Sequence, residues 1–207
     1  MSHGDYPAFE LTLPPAESHF LRSQYSSPQV VIEYGSGGST FLALESNHRS
    51  RIYACETDKQ WLSSLCDEIQ KRQLQDRFTP IFCDIGPTRA WGNPCFEQRG
   101  SDVQRMNLFM RYATRPWDIV QSKNDNPTII LIDGRFRVAC FLTALAFIRT
   151  NSLILFDDYT DRPFYHCVEQ FKRPTIKVGR MAVFHATPGL ISIEQYLSHN
   201  QYLLDWR

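Results

Sequence analysis

Short apolar runs bounded by turn residues recur along the 207-residue chain, and they alternate with segments whose apolar side chains return every three or four positions. The first kind of segment is typical of a buried strand and the second of an amphipathic helix. This alternation predicts β-α-β-α winding around a mainly parallel sheet. The predicted strands lie at 30–34, 51–56, 78–84, 128–133 and 152–158, and a terminal hairpin over 175–186 turns at Gly179.

Helices are predicted between these strands. Over residues 58–73 the apolar side chains share one helical face, and Asp58 can accept hydrogen bonds from the first N–H groups of the helix. Further helices are predicted over 39–47, 137–149 and 163–171, the last beginning with a proline. The order of elements indicates an α/β fold of the Rossmann-like, doubly wound type, with three α/β/α layers and a C-terminal antiparallel hairpin.

Two segments fit this winding poorly, although the length of the chain predicts a single domain. Residues 1–28 are interpreted as a helical lid or extension. Residues 85–127 are rich in Pro, Gly, Trp and Arg, and they predict a long insertion that covers the site. Within it, Trp91, Tyr112 and Trp117 either stack on a ligand or anchor the segment to the core.

Composition narrows the class of partner. Lys and Arg together number 22, as do Asp and Glu, so no net charge attracts nucleic acid or an anionic membrane. The expected partner is a small molecule, and a homodimer is left open.

The six cysteines form no CxxC spacing, which favours reduced structural thiols. No run approaches the roughly 20 apolar residues of a spanning helix, and the N-terminus has no signal pattern, which indicates a cytoplasmic protein.

The segment EYGSGGST, residues 33–40, carries the first candidate chemistry. A buried strand ends there in an acid, Gly35 and Gly37 flank a tight turn, and a helix begins near Ser39. Glycine lets the backbone adopt positive φ or approach a ligand closely. N–H groups at the helix start can then bind a polar ligand.

Acidic residues end three consecutive predicted strands. Glu33 ends the first, and Glu56 ends the second, 21 residues beyond Gly35, where a carboxylate can accept hydrogen bonds from ribose hydroxyls. Asp84 closes the third strand and, with Ile85, could hold an adenine. Because ligands of such folds bind at the carboxyl edge of the sheet, the three acids predict a nucleotide-like site there.

A dinucleotide site is the main alternative, since GxGxxG with an acid about 20 residues later also describes NAD binding. Here Thr40 stands at the third glycine position, and Glu33 precedes Gly35 by two residues. A carboxylate beside two phosphates is unfavourable, whereas the sulfonium and amine of S-adenosylmethionine would be attracted to it. The charge therefore favours the methyl donor.

EYGSGGST, Glu56 and Asp84 together resemble the motifs of class I S-adenosylmethionine-dependent methyltransferases, over residues 28–186. The resemblance implies that the donor is held at the glycine loop and at the strand ends that follow it. The implied donor-binding residues are Glu33, Gly35, Ser36, Gly37, Ser39, Thr40, Glu56, Thr57, Asp84, Ile85 and Asp133.

The segments LIDGRFR and LFDDY, with the terminal hairpin, are similar to the branch that contains small-molecule O-methyltransferases. That resemblance implies that Asp133, Asp157 and Asp158 act in catalysis and ligate Mg²⁺, which would bind an acceptor hydroxyl and lower its pKa. The predicted function is methylation of an oxygen of a small acceptor. A non-catalytic S-adenosylmethionine or nucleotide-binding module and an NAD-dependent oxidoreductase remain alternatives.

Arg135 and Arg137 depart from that branch, because two cations follow Asp133 directly. They either bind an anionic acceptor, replace the charge of the metal, or pair with Asp133 or Asp157. Arg135, Arg137 and Tyr159 are the candidate acceptor contacts.

Overall fold

The computed structural model describes residues 9–89, 92–95 and 102–206. Within these ranges seven strands form one sheet. They are β1 (Val30–Tyr34), β2 (Arg51–Glu56), β3 (Phe78–Phe82), β4 (Ile129–Ile132), β5 (Ser152–Phe156), β6 (Ile176–Val178) and β7 (Met181–Ala186).

The strand order is β3-β2-β1-β4-β5-β7-β6. The pairs β1·β2, β1·β4, β2·β3 and β4·β5 are parallel, whereas β7 runs antiparallel to β5 and β6. Central strands such as β4 are buried along their whole length, as expected when helices cover both faces of a sheet. The predicted mainly parallel sheet with a C-terminal hairpin is confirmed.

Six α-helices flank this sheet in the described ranges, and short 3₁₀ segments lie at Gln75–Arg77, Pro163–Gln170 and Asn200–Leu204. None of these helices is long and apolar enough to cross a membrane. The α-helices are α1 (Pro15–Tyr25), α2 (Gly38–Ser46), α3 (Lys59–Lys71), α4 (Asp102–Ser122), α5 (Arg137–Phe147) and α6 (Ile193–Ser198).

Apolar side chains on the two faces of the sheet form two separate cores. Val31 packs with residues of α1, α2 and α3, whereas the next residue, Ile32, packs with residues of α4 and α5. Successive side chains of a strand point to opposite faces, so the two neighbours belong to different cores. The result is the predicted three-layer arrangement, with the loops at the carboxyl ends of the parallel strands left free to form a site.

The region between β3 and β4 differs from the predicted insertion. Residues 102–122 form α4, which packs on the sheet as the crossover helix between these two strands. Tyr112 and Trp117 are only 1% exposed, and the indole N–H of Trp117 donates to the hydroxyl of Tyr34 at 2.9 Å. Trp117 therefore anchors the helix in the core. Trp91 lies outside the described residues.

The N-terminal helix α1 is tied to the C-terminal hairpin. The buried carboxylate of Glu17 accepts a hydrogen bond from the backbone N–H of Arg180 at 2.7 Å. At Gly179, which has φ +56°, an added Cβ would collide with the same carboxylate. The predicted turn at Gly179 is thus confirmed, and the structure adds a tertiary reason for the glycine.

Candidate cofactor and acceptor site

A cavity of about 330 Å³ lies at the carboxyl edge of the sheet, above the ends of β1, β2 and β4. The chain leaves β1 for β2 on one side, whereas it leaves the neighbouring strand β4 for β5 on the other side, and such a switch leaves a crevice between the outgoing loops. The walls come from the glycine loop after β1, the end of β2, the turn after β4 and the N-terminal segment 10–13.

The glycine loop is shaped by two close approaches of backbone. Gly35 has φ +91°, and an added Cβ would lie 3.0 Å from the Cα atom of Gly134 in the turn after β4. At Gly38 a Cβ would collide with the backbone carbonyl of Glu10. Gly35 therefore lets two loops of the sheet edge meet. Gly38 lets the N-terminal segment form one wall of the cavity.

Glu33 lies beneath the loop and not in the cavity wall. It is 1% exposed, and its carboxyl group accepts hydrogen bonds from the hydroxyls of Ser39 and Thr40, the latter at 2.6 Å. Burial raises the pKa of Glu33 to about 8, although these hydrogen bonds lower it. The carboxyl is then mainly neutral at pH 7. The structure thus differs from the interpretation that Glu33 offers a full negative charge to the donor.

Glu56 does lie in the cavity wall. Its Oε1 accepts hydrogen bonds from the backbone N–H groups of Thr57 at 2.6 Å and Asp58 at 3.0 Å. Its Oε2 accepts from the hydroxyl of Ser36 at 3.2 Å and from the backbone N–H of Ser36 at 3.4 Å. Burial raises the pKa of this carboxyl, and the hydrogen bonds lower it. The side chain is held in one orientation, with Ser36 and Thr57 beside it at the wall.

The predicted adenine contacts are placed differently. Asp84 is exposed, and its Oδ1 accepts a hydrogen bond from the backbone N–H of Gly86 at 2.8 Å. Ile85 is completely buried in the core. Neither residue lines the cavity, so a role for them in binding the donor stays a prediction.

Asp133, Asp157 and Asp158 meet at the ends of β4 and β5, where oxygen atoms from the three carboxylates lie within 4.8 Å of one another. Three arginines surround them. Arg180 contacts both oxygens of Asp157, at 3.2 and 2.8 Å, and Oδ1 of Asp158 at 3.1 Å. Arg162 contacts Oδ2 of Asp158 at 2.8 Å. Only Asp133 among the three acids reaches the cavity wall.

Arg137 is built into the protein and is not available to an acceptor. It is 2% exposed, and its guanidinium donates to the backbone carbonyls of Gly134, Asp157 and Asp133 at 2.9, 2.7 and 3.1 Å. It also pairs with carboxylate oxygens of Asp133 and Asp158, both at 3.2 Å. Of the alternatives that the sequence left open for Arg137, pairing with the acids is the one that the structure shows.

Arg135 is placed differently, since its side chain lines the cavity. One terminal nitrogen donates to Oδ1 of Asn93 at 2.9 Å, whereas its buried Nε has no hydrogen-bond partner among the described residues. Tyr112 also lines the cavity, and its hydroxyl accepts a hydrogen bond from the backbone N–H of Arg135 at 3.3 Å. The site thus has two groups with unused capacity to donate.

Tyr159 does not reach this site. It is completely buried, its hydroxyl donates to Oε1 of Glu169 at 2.9 Å, and its ring packs on Phe156 and Phe184. The predicted acceptor contact is therefore a core residue.

Sequence reasoning missed Arg162 and Arg180, and it placed the wall segment 10–13 in a helical lid or extension, whereas the helix begins at Pro15. Tyr112 was noticed only as a residue of the supposed insertion. Arg162 follows Asp158 by four residues, a spacing that allows pairing and could have been noticed. Arg180 and the wall segment come from distant parts of the chain and have no local signal.

No protein-family model matches the chain, and no curated protein matches it. Solved structures do match. A methyltransferase-like protein from Silicibacter pomeroyi superposes with a TM-score of 0.80 and 31% sequence identity, over 95% of this chain and 97% of the other. A methyltransferase from Geobacter sulfurreducens superposes with a TM-score of 0.54 and 14% identity, over 84% and 80% of the two chains. An O-methyltransferase from Bacillus cereus, solved in complex with SAH, gives 0.50 and 16%, over 83% and 80%.

The last two similarities concern the fold alone, since their sequence identities are low. The first extends over nearly the full length of both chains at 31% identity. The strand order, the glycine loop and the acid at the end of β2 are the features of this chain that predicted the same family. This chain therefore belongs to the family of methyltransferase-like proteins within the class I S-adenosylmethionine-dependent methyltransferases.

Proposed function

We propose that this protein transfers the methyl group of S-adenosylmethionine to an oxygen atom of a small acceptor. The observation that carries the proposal is a single cavity with the carboxylates of both Glu56 and Asp133 in its walls. The first carboxylate can bind the donor, and the second can take a proton from the acceptor. Membership of the family supports this choice of donor, as does the SAH complex of the Bacillus cereus O-methyltransferase.

The residues of the glycine loop and of the end of β2 fit the donor. Glu56 is oriented by backbone N–H groups, and a carboxylate has acceptor sites left for two ribose hydroxyls. Gly37 and Ser39 bring the first turn of α2 to the wall, where N–H groups without a helical partner can bind a carboxylate. When bound, the donor supplies an electrophilic methyl group on its sulfonium sulfur. The loop contributes binding and alignment.

Asp133 is the residue placed to remove a proton from the acceptor. Burial and the neighbouring Asp157 raise its pKa to about 7, although Arg137 lowers it. A carboxylate with a pKa near neutrality is a better proton acceptor than an ordinary aspartate and is still ionised in a large fraction of molecules. Its Oδ1 is held by Arg137, so the group has a defined orientation beside the cavity.

Arg135 and Tyr112 support an acceptor that carries an anionic group. Burial lowers the pKa of Arg135, and no carboxylate of the described residues forms an ion pair with it. Both residues line the cavity, and the Nε of Arg135 is buried without a partner among the described residues, so the guanidinium has a donor to offer to a carboxylate or phosphate. Such a ligand would satisfy a buried donor that otherwise has no partner.

Donor binding is tested by replacing Glu56 with Gln. The amide keeps the size of the side chain and loses the charge, so two charge-assisted hydrogen bonds to the ribose are weakened. We expect affinity for S-adenosylhomocysteine, measured by calorimetry, to fall about 10- to 100-fold. Asp67→Asn is the matched control, because it removes an exposed acid from α3, and it should bind like the unaltered protein. Binding of NAD by the unaltered protein, without affinity for S-adenosylhomocysteine, would refute the proposal.

The acceptor class is tested with hydroxy acids, each paired with its neutral methyl ester. Methyl transfer to the acids should exceed transfer to the esters, and Arg135→Met should raise KM for the acids about 10- to 100-fold through loss of one charged hydrogen bond. The esters should be unaffected, as should both substrates with Arg49→Met, which removes an exposed arginine. Equal use of acids and esters would contradict the anionic acceptor and leave methyl transfer itself intact. Tight binding of S-adenosylhomocysteine without transfer to any acceptor would favour a non-catalytic binding module.

A further inference from the structure

The Asp133, Asp157 and Asp158 carboxylates have the spacing of a cation site, but their oxygens are already engaged. Five of the six carboxylate oxygens lie within 3.2 Å of a guanidinium nitrogen. The sixth, Oδ2 of Asp133, has no partner among the described residues and belongs to the one acid that lines the cavity. The donor set that a divalent cation would need is therefore used by arginine.

The charges of this cluster balance without a metal. Three carboxyl groups face the guanidinium groups of Arg137, Arg162 and Arg180, so the cluster has no net negative charge. Mg²⁺ requires several oxygen ligands at about 2.0–2.1 Å in octahedral geometry, with negative charge to offset its desolvation. A cation between these acids would instead lie beside positive charges, with few oxygens free.

Two of the arginines are tied to the scaffold by bonds to or from the backbone. Arg137 is bound by three backbone carbonyls, which would hold it without the carboxylate side chains. Arg180 sits at the hairpin turn, where Glu17 of α1 accepts from its backbone N–H at 2.7 Å, and it holds both oxygens of Asp157. The guanidinium groups are thus part of the folded scaffold, whereas Arg162, with 38% of its side chain exposed, is the least constrained.

We infer that Arg180, with Arg137, closes this cluster to divalent cations, so that the protein does not use the metal implied by its resemblance to small-molecule O-methyltransferases. The arginines occupy the position of the cation and neutralise Asp157 and Asp158. Asp133 alone keeps a free oxygen at the cavity. Arg180 is accordingly a positioning residue, and its removal should uncover a latent cation site.

The inference is tested by Mn²⁺ titration followed by electron paramagnetic resonance, with no acceptor needed. The unaltered protein should leave Mn²⁺ free at millimolar concentration. Arg180→Met frees both oxygens of Asp157 and one of Asp158, and it should bind Mn²⁺ at least about tenfold more tightly. Adding Asp157→Asn to that variant should abolish the gain. Arg173→Met, which removes an exposed arginine, should behave like the unaltered protein.

Stoichiometric Mn²⁺ binding by the unaltered protein that is lost in Asp157→Asn would overturn the inference. A folded Arg180→Met protein, judged by near-ultraviolet circular dichroism, that gains no affinity would overturn the role given to Arg180. If that variant does not fold, Arg162→Met provides the test, because it removes one of the two guanidinium groups that contact Oδ2 of Asp158 and changes a partly exposed side chain. A smaller gain in Mn²⁺ affinity is expected there, and no gain would contradict closure by guanidinium groups.

Discussion

Replacing Arg137 with Met is expected to lower the free energy of unfolding by about 3 to 5 kcal/mol, the range observed when one partner of a buried ion pair is removed. The loss arises because Met reproduces the apolar stem of the side chain and none of its hydrogen bonds. The carbonyls of Gly134 and Asp157 would lose a buried donor, and Asp133 and Asp158 would lose a compensating charge. Urea unfolding followed by far-ultraviolet circular dichroism measures the change.

Two further variants show whether this effect belongs to the guanidinium. Arg149→Met removes an exposed arginine just beyond the end of the same helix, and it should change stability by no more than about 0.5 kcal/mol. Arg137→Lys should recover little, since one ammonium cannot reproduce a planar fork that serves several oxygens. A loss below about 1 kcal/mol in Arg137→Met would contradict the structural role and revive the idea that this residue binds an acceptor.

Asp133→Asn is expected to lower kcat about 10²- to 10⁴-fold, the usual contribution of a positioned general base. Affinity for S-adenosylhomocysteine should change little, because the amide oxygen can still accept from Arg137. The pKa of Asp133 is about 7, and the base form exists above it, so the rate of the unaltered protein should rise with pH through this region. Asn does not titrate, and the variant should lose that rise. Methyl transfer from radiolabelled donor across pH 5–9 measures both effects.

Asp158→Asn is the matched control for the same charge change. Its backbone has φ +56°, a conformation that Asn tolerates well, so the fold should survive. Asp158 raises the pKa of Asp133, and its neutralisation should shift the pH rise to lower pH without abolishing it. An unchanged pH profile in Asp133→Asn would assign proton removal to another group.

The strands were predictable because their signal is local. The sequence bounds of β1 and β2 agree with the structure, as does the side-chain cap by Asp58, which accepts from the N–H groups of Gln60 and Trp61. These features depend on the alternation of strand-like and helix-like segments, on apolar runs and on hydrogen bonds between residues close in sequence. Glu56 was located for a similar reason, since the end of a parallel strand defines the edge at which its side chain emerges.

Helix α4 shows how a local signal can be overlooked. Phe109, Tyr112, Ala113, Trp117 and Val120 recur at helical spacing and are all buried. Pro116 stands inside the helix, and the preceding residues are rich in turn formers. The composition therefore favoured an insertion, although the periodicity indicated a helix. The helix forms nonetheless, because burial of its aromatic face against the sheet outweighs the cost of the proline.

The sequence by itself determined the order of elements, the sheet edge that carries the site, and the acids that reach this edge. Tertiary structure decided which of these side chains are free to act. Arg180 meets Glu17 across 163 positions and Asp157 across 23. Among the described residues the Nε of Arg135 has no partner, whereas all three guanidinium nitrogens of Arg137 are hydrogen-bonded. Strand and helix periodicities specify which face a side chain occupies, whereas its partner and its pKa depend on segments that meet only when the chain is folded.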